Sequence, residues 1–113
     1  MKTCLAQALC FLLLSACLSA QTDSRPPAPN SAEQEYQSGL ELARLGRLED
    51  ARAALVHGSR LAPEDKRFFI ELAGVAYRQK KQSEAIAFLR RALRIDPQDE
   101  YANDFLATLY FLQ

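Results

Sequence analysis

The sequence contains few of the residue types that carry enzymatic chemistry. It has one histidine, His57, and three cysteines, all within the first seventeen residues. Without cysteine beyond Cys17, the rest of the chain can form neither a disulfide framework nor a cysteine–histidine pair, and one histidine makes no metal site. The four glycines are scattered singly, so there is no glycine-rich phosphate-binding loop. The sequence therefore predicts no catalytic site, no metal and no cofactor, and His57 is expected to be an exposed or partly packed helix residue.

An excess of charge of one sign is also missing. The 14 lysines and arginines balance the 14 aspartates and glutamates, so the formal net charge is zero. Nucleic-acid-binding proteins usually carry a basic surface. The densest basic group, Arg90, Arg91 and Arg94, falls at the end of a predicted helix, where cations complement the carbonyl dipole. We therefore predict no nucleic-acid partner.

The one strongly apolar run lies near the start, in MKTCLAQALCFLLLSACLSAQ. Lys2 precedes an apolar run from Leu9 to Leu14, which small residues and then a polar segment follow. This order is typical of a secretory signal peptide, here residues 1–20. The run is too short to cross a bilayer comfortably, since a spanning helix needs about 20 apolar residues.

Two processing sites compete within this segment. The tetrapeptide LSAC, Leu14–Cys17, resembles the lipobox of bacterial lipoproteins, in which the cysteine becomes the lipidated first residue of the mature protein. Alternatively, signal peptidase cleaves after Ala20, although Leu18 is larger than the residue usually found two places earlier. A retained anchor, or no export, is the third alternative. We prefer lipidation of Cys17, which predicts a location in the periplasm or at the outer membrane of a bacterium.

The next segment, residues 21–31, is rich in proline. Gln21–Asn30 reads QTDSRPPAPN and carries almost no large apolar side chain. Such a stretch buries too little surface to offset the entropy of ordering it. It is therefore predicted to be a disordered linker that holds the following region away from a membrane.

A repeat of 34 residues runs through the rest of the chain. RLAPEDKR at Arg60–Arg67 returns as RIDPQDEY at Arg94–Tyr101. Sliding the sequence by 34 places small residues on small ones and aliphatic residues on aliphatic ones, as in the pairs Gly39 and Ala73, Ala51 and Ala85, Leu55 and Leu89, Gly58 and Ala92, Leu61 and Ile95, Pro63 and Pro97. A third copy begins after Pro97, in which Leu106 aligns with Leu72 and Ala107 with Ala73. This period is typical of helix–turn–helix units that bury their apolar faces by stacking on a neighbour.

At these positions the chain resembles the tetratricopeptide repeat family. The small residue at the eighth position of that repeat is Gly39, Ala73 and then Ala107, and the alanine at its twentieth position is Ala51 and Ala85. The early aromatic residue of the family is absent from the first copy, where Glu35 stands, but is Phe69 in the second. The resemblance implies an all-α fold: a right-handed superhelical stack of antiparallel helix hairpins, with repeats at 32–65 and 66–99 and the first helix of a third at 100–113.

Local signals predict where the helices begin and end. Ser31 is a candidate N-cap, with Gln34 completing a capping box, and Gly46 can take the left-handed conformation that ends a helix. Asp65 and Asp99 stand where the third and fifth helices need side-chain acceptors. The helices after the first are predicted over Leu48–Leu61, Lys66–Gln79, Ser83–Ile95 and from Glu100 onwards, and the second is expected to bury Leu48, Ala51, Leu55 and Leu61.

The resemblance also implies a binding surface, because peptide ligands of the family lie in the concave groove lined by the first helix of each pair. Carried onto this sequence, the contacting positions are Tyr36, Gln37, Leu40, Arg44, Arg67, Ile70, Glu71, Gly74, Tyr77, Arg78, Asp104 and Thr108. The two tyrosines offer flat contact surface, and Arg44 and Arg78 can pair with acidic ligand groups. The alternative, that the tyrosines pack between helices and the arginines are solvated, stays open.

The last segment, NDFLATLYFLQ, spreads apolar residues around much of a helix. A terminal repeat usually has a polar outer face, so something is expected to cover these side chains. The chain is a piece of a longer array, or it associates with itself, or a partner supplies the missing helix. We prefer the first, because the break falls near the end of a first helix.

The sequence thus predicts a non-enzymatic scaffold of the bacterial cell envelope that binds a protein or peptide partner in the groove or through the last helix. A second hypothesis, from a different functional class, is that the chain is the front part of a larger exported enzyme or secretion component whose active domain lies beyond Gln113. A third alternative is an assembly factor that works as an oligomer. The architectural resemblance supports the class of protein and not a pathway.

Overall fold

The computed structural model describes residues 31–113, which form five α-helices and no strand. The helices are α1 Ser31–Arg44, α2 Leu48–Leu61, α3 Lys66–Arg78, α4 Gln82–Ile95 and α5 Glu100–Phe111. Helices α1 and α2 pack as one hairpin and α3 and α4 as the next, while α2–α3 and α4–α5 contacts join successive pairs. The predicted all-α stack of two hairpins and a fifth helix is confirmed. The predicted signal peptide, Cys17 and the linker up to Asn30 lie outside the described residues.

The proline-containing octets form the junctions between repeats. The Asp65 carboxylate accepts a hydrogen bond from the Arg67 amide at 3.0 Å, and Asp99 accepts one from the Ala102 amide at 2.8 Å. Both predicted N-caps are confirmed, and each satisfies one free amide group at a helix start. The Lys66 ammonium lies 2.5 Å from an Asp96 oxygen and 2.6 Å from an Asp99 oxygen. Because Lys66 belongs to the first octet and both aspartates to the second, the two junctions also bind each other.

Four details differ from the sequence predictions. Helix α1 includes Ser31 itself, α3 ends at Arg78 and not Gln79, and α4 begins at Gln82 and not Ser83. The expected burial of Leu61 is wrong, since its side chain is 46% exposed. Leu61 is the last residue of α2. Ala51 and Leu55 are fully buried as predicted, whereas Leu48 is only partly buried.

Small residues set how closely the helices of the first hairpin and α3 approach. A Cβ atom on Gly39 would lie 2.6 Å from the Leu55 side chain, and one on Gly58 would lie 2.2 Å from a ring carbon of Phe68. Both distances are far below van der Waals contact. Only glycine therefore fits at these positions, unless the neighbouring side chains move. In the next repeat Ala73 and Ala92 occupy the same positions and are fully buried.

Helix α5 packs on the second hairpin through only part of its surface. Ala102 and Leu109 are fully buried against α3 and α4. Ala107, the repeat equivalent of the buried Gly39 and Ala73, is exposed, because within residues 31–113 no helix lies over it. The outer surface of α5 therefore presents apolar side chains to solvent, with Phe111 89% exposed.

The turns inside the two hairpins share one backbone conformation. Gly46 has φ +79°, as predicted, and Lys80, which follows it by one repeat, has φ +65°. Glycine enters this left-handed region freely, whereas a side chain with Cβ clashes with its own backbone there. The second turn is therefore strained in a way that the first is not.

We expect Lys80→Gly to raise the free energy of unfolding by about 1 kcal/mol, because the turn keeps its shape without the Cβ clash. The reverse substitution, Gly46→Lys, should lower it by a similar amount. No atom lies within 4 Å of a Cβ placed on Gly46, so this control isolates the backbone effect. Urea unfolding followed by circular dichroism measures both variants. A loss of stability in Lys80→Gly would show that the turn is not strained.

Candidate functional site

Side-chain contacts join the first helices of the repeats into one surface. The rings of Tyr36 on α1 and Phe68 on α3 meet edge to face, with centroids 5.6 Å apart. Tyr77 on α3 meets Phe105 on α5 in the same way at 6.0 Å. We call the surface formed by α1, α3 and α5 the first-helix face. All twelve residues that the sequence assigned to a binding groove belong to these three helices.

Tyr36 occupies the centre of a charged cluster on this face. The Arg67 guanidinium lies 4.4 Å from the centre of the Tyr36 ring and also forms ion pairs of 2.8 Å with Glu33 and Asp65. Arg67 holds the pKa of the Glu33 and Asp65 carboxyls below their usual values, and burial raises the pKa of Tyr36. The Tyr36 ring therefore packs between helices, which is the alternative that the sequence left open. The sequence did not single out Glu33, although it stands one repeat before Arg67.

Glu71, also on this face, is a half-buried carboxylate. Burial raises its pKa, and contact with the Tyr36 hydroxyl offsets part of that shift. A carboxylate held partly out of water costs stability unless it is satisfied, and such groups are concentrated at functional sites. Sequence reasoning assigned Glu71 to the groove but could not foresee its burial, which depends on how α1 packs on α3.

Glu71→Gln is expected to raise stability at pH 7. Because the folded-state pKa of Glu71 lies above its ordinary value of 4.5, ionisation disfavours the folded state, and this cost is absent once pH falls below the unfolded pKa. The difference between variant and parent should therefore shrink from pH 7 towards pH 4 in urea unfolding. Asp65→Asn is the control of opposite sign, since the pKa of Asp65 is lowered and its stabilisation is lost only at acid pH. A less stable Glu71→Gln protein at pH 7 would contradict this assignment.

The two arginines predicted to pair with a ligand already have partners. Arg44 forms an exposed 2.7 Å ion pair with Glu41, one turn earlier on its own helix. Arg78 donates a 2.7 Å hydrogen bond to the Ala43 carbonyl at the end of α1. Exposed pairs of this kind stabilise a protein by about 1 kcal/mol at most. Exchange of these contacts for ligand contacts is therefore energetically inexpensive.

The remaining predicted positions differ in how accessible they are. Leu40 and Ile70 are partly buried, whereas Gln37, Asp104 and Thr108 are exposed. Tyr77 is 41% exposed. Gly74, in the middle of α3, differs from the packed glycines, because a Cβ placed on it would meet no atom within 4 Å. Open space therefore lies over the centre of the first-helix face.

The one histidine of the described residues lies on the surface of α2. His57 is exposed, and its Nδ1 lies 3.0 Å from a Glu35 oxygen, in agreement with the interpretation of His57 as a surface helix residue. Residues 31–113 hold no group of three potential metal ligands. Within the same range, none of the helices has the length and apolar character needed to cross a membrane.

The fold and this surface define a helical-repeat protein, in which paired helices stack and the first helix of each pair contributes to one accessible face. A family model for the tetratricopeptide repeat matches residues 36–100, which is more than half of the chain. The chain belongs to the tetratricopeptide repeat family. Repeats of this family generally mediate protein–protein interactions, and its members are typically non-enzymatic scaffolds. No curated protein matches the sequence.

Proposed function

We propose that this protein is a scaffold that binds a segment of a polypeptide partner on its first-helix face. The observation that carries the proposal is the open space over Gly74 at the centre of α3. A glycine in the interior of an exposed helix costs about 1 kcal/mol relative to alanine. Its lack of a side chain lets another backbone approach closely, which suits a peptide lying across the three first helices.

The residues around Gly74 supply both apolar contact and hydrogen bonds. Glu71, Tyr77 and Arg78 lie three or four positions away on α3, so they surround the same patch of helix surface. Tyr77 offers a half-exposed ring, Arg78 offers guanidinium donors, and the Glu71 carboxylate can accept from an amide or a cationic side chain. A short peptide segment with both apolar and donor groups fits this arrangement.

Gly74→Leu is expected to abolish partner binding without unfolding the protein. The leucine side chain fills the open space, and because leucine has a higher helix propensity than glycine, stability should stay equal or rise by up to about 1 kcal/mol. Binding is measured by recovery of the partner from an envelope fraction on immobilised protein, and stability by urea unfolding.

The matched control is Ala87→Leu, which adds apolar bulk at an exposed position of α4. This variant should recover the same amount of partner as the parent protein. Full recovery by Gly74→Leu would remove the first-helix face as the binding surface. A loss of recovery by both variants would mean that added surface leucine, and not the filled groove, is responsible.

We further propose that the protein is exported and tethered to a membrane through Cys17. The support is the order of Lys2, the apolar run and LSAC at Leu14–Cys17. Cells that express the full chain should incorporate radioactive palmitate, Cys17→Ala should abolish the label, and Cys10→Ala should keep it. Label retained in Cys17→Ala would contradict lipidation.

The outer surface of α5 is a second candidate contact surface, favoured by the exposure of Phe111 and Leu112. Large exposed apolar patches usually mark interaction sites. If two copies associate here, light scattering of the full chain should show a dimer that Phe111→Asp dissociates. A monomer at all concentrations would rule out self-association through α5.

A further inference from the structure

A separate cleft lies between the second helices, α2 and α4. Its walls include Val56 and Arg60 from α2 and Phe88 and Arg91 from α4, with the buried Phe69 and Leu72 of α3 beneath. An adjoining depression contains Arg91, Arg94 and Glu64. We call this surface the arginine cleft and define it by Arg60, Arg91, Arg94, Val56 and Phe88. These five residues lie on α2 and α4, whereas the first-helix face is formed by α1, α3 and α5.

The cations of this cleft lack the partners that most others have. Among the described residues, ion pairs with carboxylates engage Arg44, Arg47, Arg52, Lys66 and Arg67. Arg78 binds a backbone carbonyl and Arg90 the Tyr110 hydroxyl. Within residues 31–113, no carboxylate oxygen lies within 4.0 Å of the Arg60, Arg91 or Arg94 side chain, and none of the three guanidinium groups donates a hydrogen bond. The cleft therefore concentrates unpaired positive charge in a chain with no net charge.

Arg91 packs against an aromatic ring in the cleft. Its guanidinium lies 4.5 Å from the centre of the Phe69 ring, which occupies one face of the planar group. Its guanidinium N–H groups have no hydrogen-bond partner among residues 31–113, and they form the fork that matches a carboxylate. Arg60 lies in the last turn of α2 and Arg94 in the last turn of α4, where the helix dipoles favour cations. The helix dipoles account for the location of these two arginines, but among the described residues their guanidinium N–H groups have no acceptor.

In the cleft, apolar side chains lie next to the guanidinium groups. Val56 and Phe88 are partly exposed next to Arg60 and Arg91. This combination complements a carboxylate that is followed or preceded by an apolar side chain. Clusters that bind anionic lipid typically contain four to eight cations. The cleft has three, and they lie between helices and not on a protruding face.

We propose that the arginine cleft binds an acidic peptide segment. Carboxylates of the segment pair with Arg60 and Arg91, and an adjacent aromatic or aliphatic side chain packs against Val56 and Phe88. The site is independent of the proposed first-helix face, so either can fail without the other.

The test measures fluorescence anisotropy of a labelled peptide of alternating glutamate and phenylalanine with the full chain. The double variant Arg60→Gln/Arg91→Gln should bind at least about tenfold more weakly than the parent. Lys80→Gln/Lys81→Gln removes the same charge outside the cleft and should bind within about twofold of the parent. A peptide with glutamine in place of glutamate should not bind. If the double variant fails to fold, Arg60→Gln alone, at an exposed position, gives the same comparison.

Four results would overturn the proposal. They are no binding of the acidic peptide, equal losses in the arginine and lysine variants, a loss caused by Gly74→Leu and not by the arginine variant, and arginine-dependent binding to phosphatidylglycerol vesicles without peptide binding. The third would place the peptide on the first-helix face, and the fourth would assign the cleft to a membrane. A tenfold loss confined to the arginine variant supports the proposal.

Discussion

Replacement of Phe68 by alanine is expected to lower the free energy of unfolding by about 3–5 kcal/mol. The Phe68 ring is fully buried, meets Tyr36 of α1 edge to face and lies against Gly58 of α2. It therefore joins the first hairpin to α3, and its loss leaves a cavity at the junction. Since small domains are stable by only about 5–15 kcal/mol, the substitution removes a large share of the total.

The matched control is Phe111→Ala, because the same atoms are removed from a side chain that is 89% exposed. Its stability should stay within about 0.5 kcal/mol of the parent. Both variants are compared by urea unfolding at a protein concentration where they are monomeric. Equal effects at the two positions would mean that Phe68 does not hold the repeats together.

The second large effect is expected at Gly58. Gly58→Ala should cost about 1–3 kcal/mol, although alanine is the better helix former, because the new Cβ would stand 2.2 Å from a ring carbon of Phe68. The ring is fully buried, and in a closely packed interior it can move away only by displacing its neighbours. Gly74→Ala is the control, since the same change in open space should stabilise the protein by about 1 kcal/mol.

When Gly58→Ala is combined with Phe68→Ala, the effect of Gly58→Ala on the free energy of unfolding should change sign. In a Phe68→Ala background the clash is gone, so Gly58→Ala should become neutral or stabilising by up to about 1 kcal/mol. The nearest remaining atom is the Glu35 Cβ at 3.0 Å, which limits the gain. Strictly additive effects of the two substitutions would show that α2 and α3 do not approach each other at this point.

Much of the fold could be predicted because local chemistry and repetition agree. The 34-residue spacing of Pro63 and Pro97 placed the junctions, and Asp65 and Asp99 cap the following helices as their residue type indicates. Gly46 takes the left-handed turn that glycine favours. Each of these features depends on a few neighbouring residues, so the sequence contains the whole signal.

Features that depend on packing between repeats could not be predicted in the same way. Lys80 adopts a left-handed conformation despite its side chain, because the second hairpin repeats the turn of the first. The burial of Glu71 depends on its neighbours in the folded chain. Arg91 was interpreted through its helix dipole alone, whereas its guanidinium stacks on Phe69 of a different helix. Side chains that meet across helices leave little trace in a single sequence.

The central claim, that a polypeptide partner lies on the first-helix face, is tested most directly by site-specific photo-crosslinking in cells. A photoreactive amino acid is placed at Gln37, exposed on α1, or at Ser83, exposed on α4. We expect a cross-linked partner polypeptide from position 37 and none from position 83. A partner captured only from position 83 would contradict the proposed binding surface.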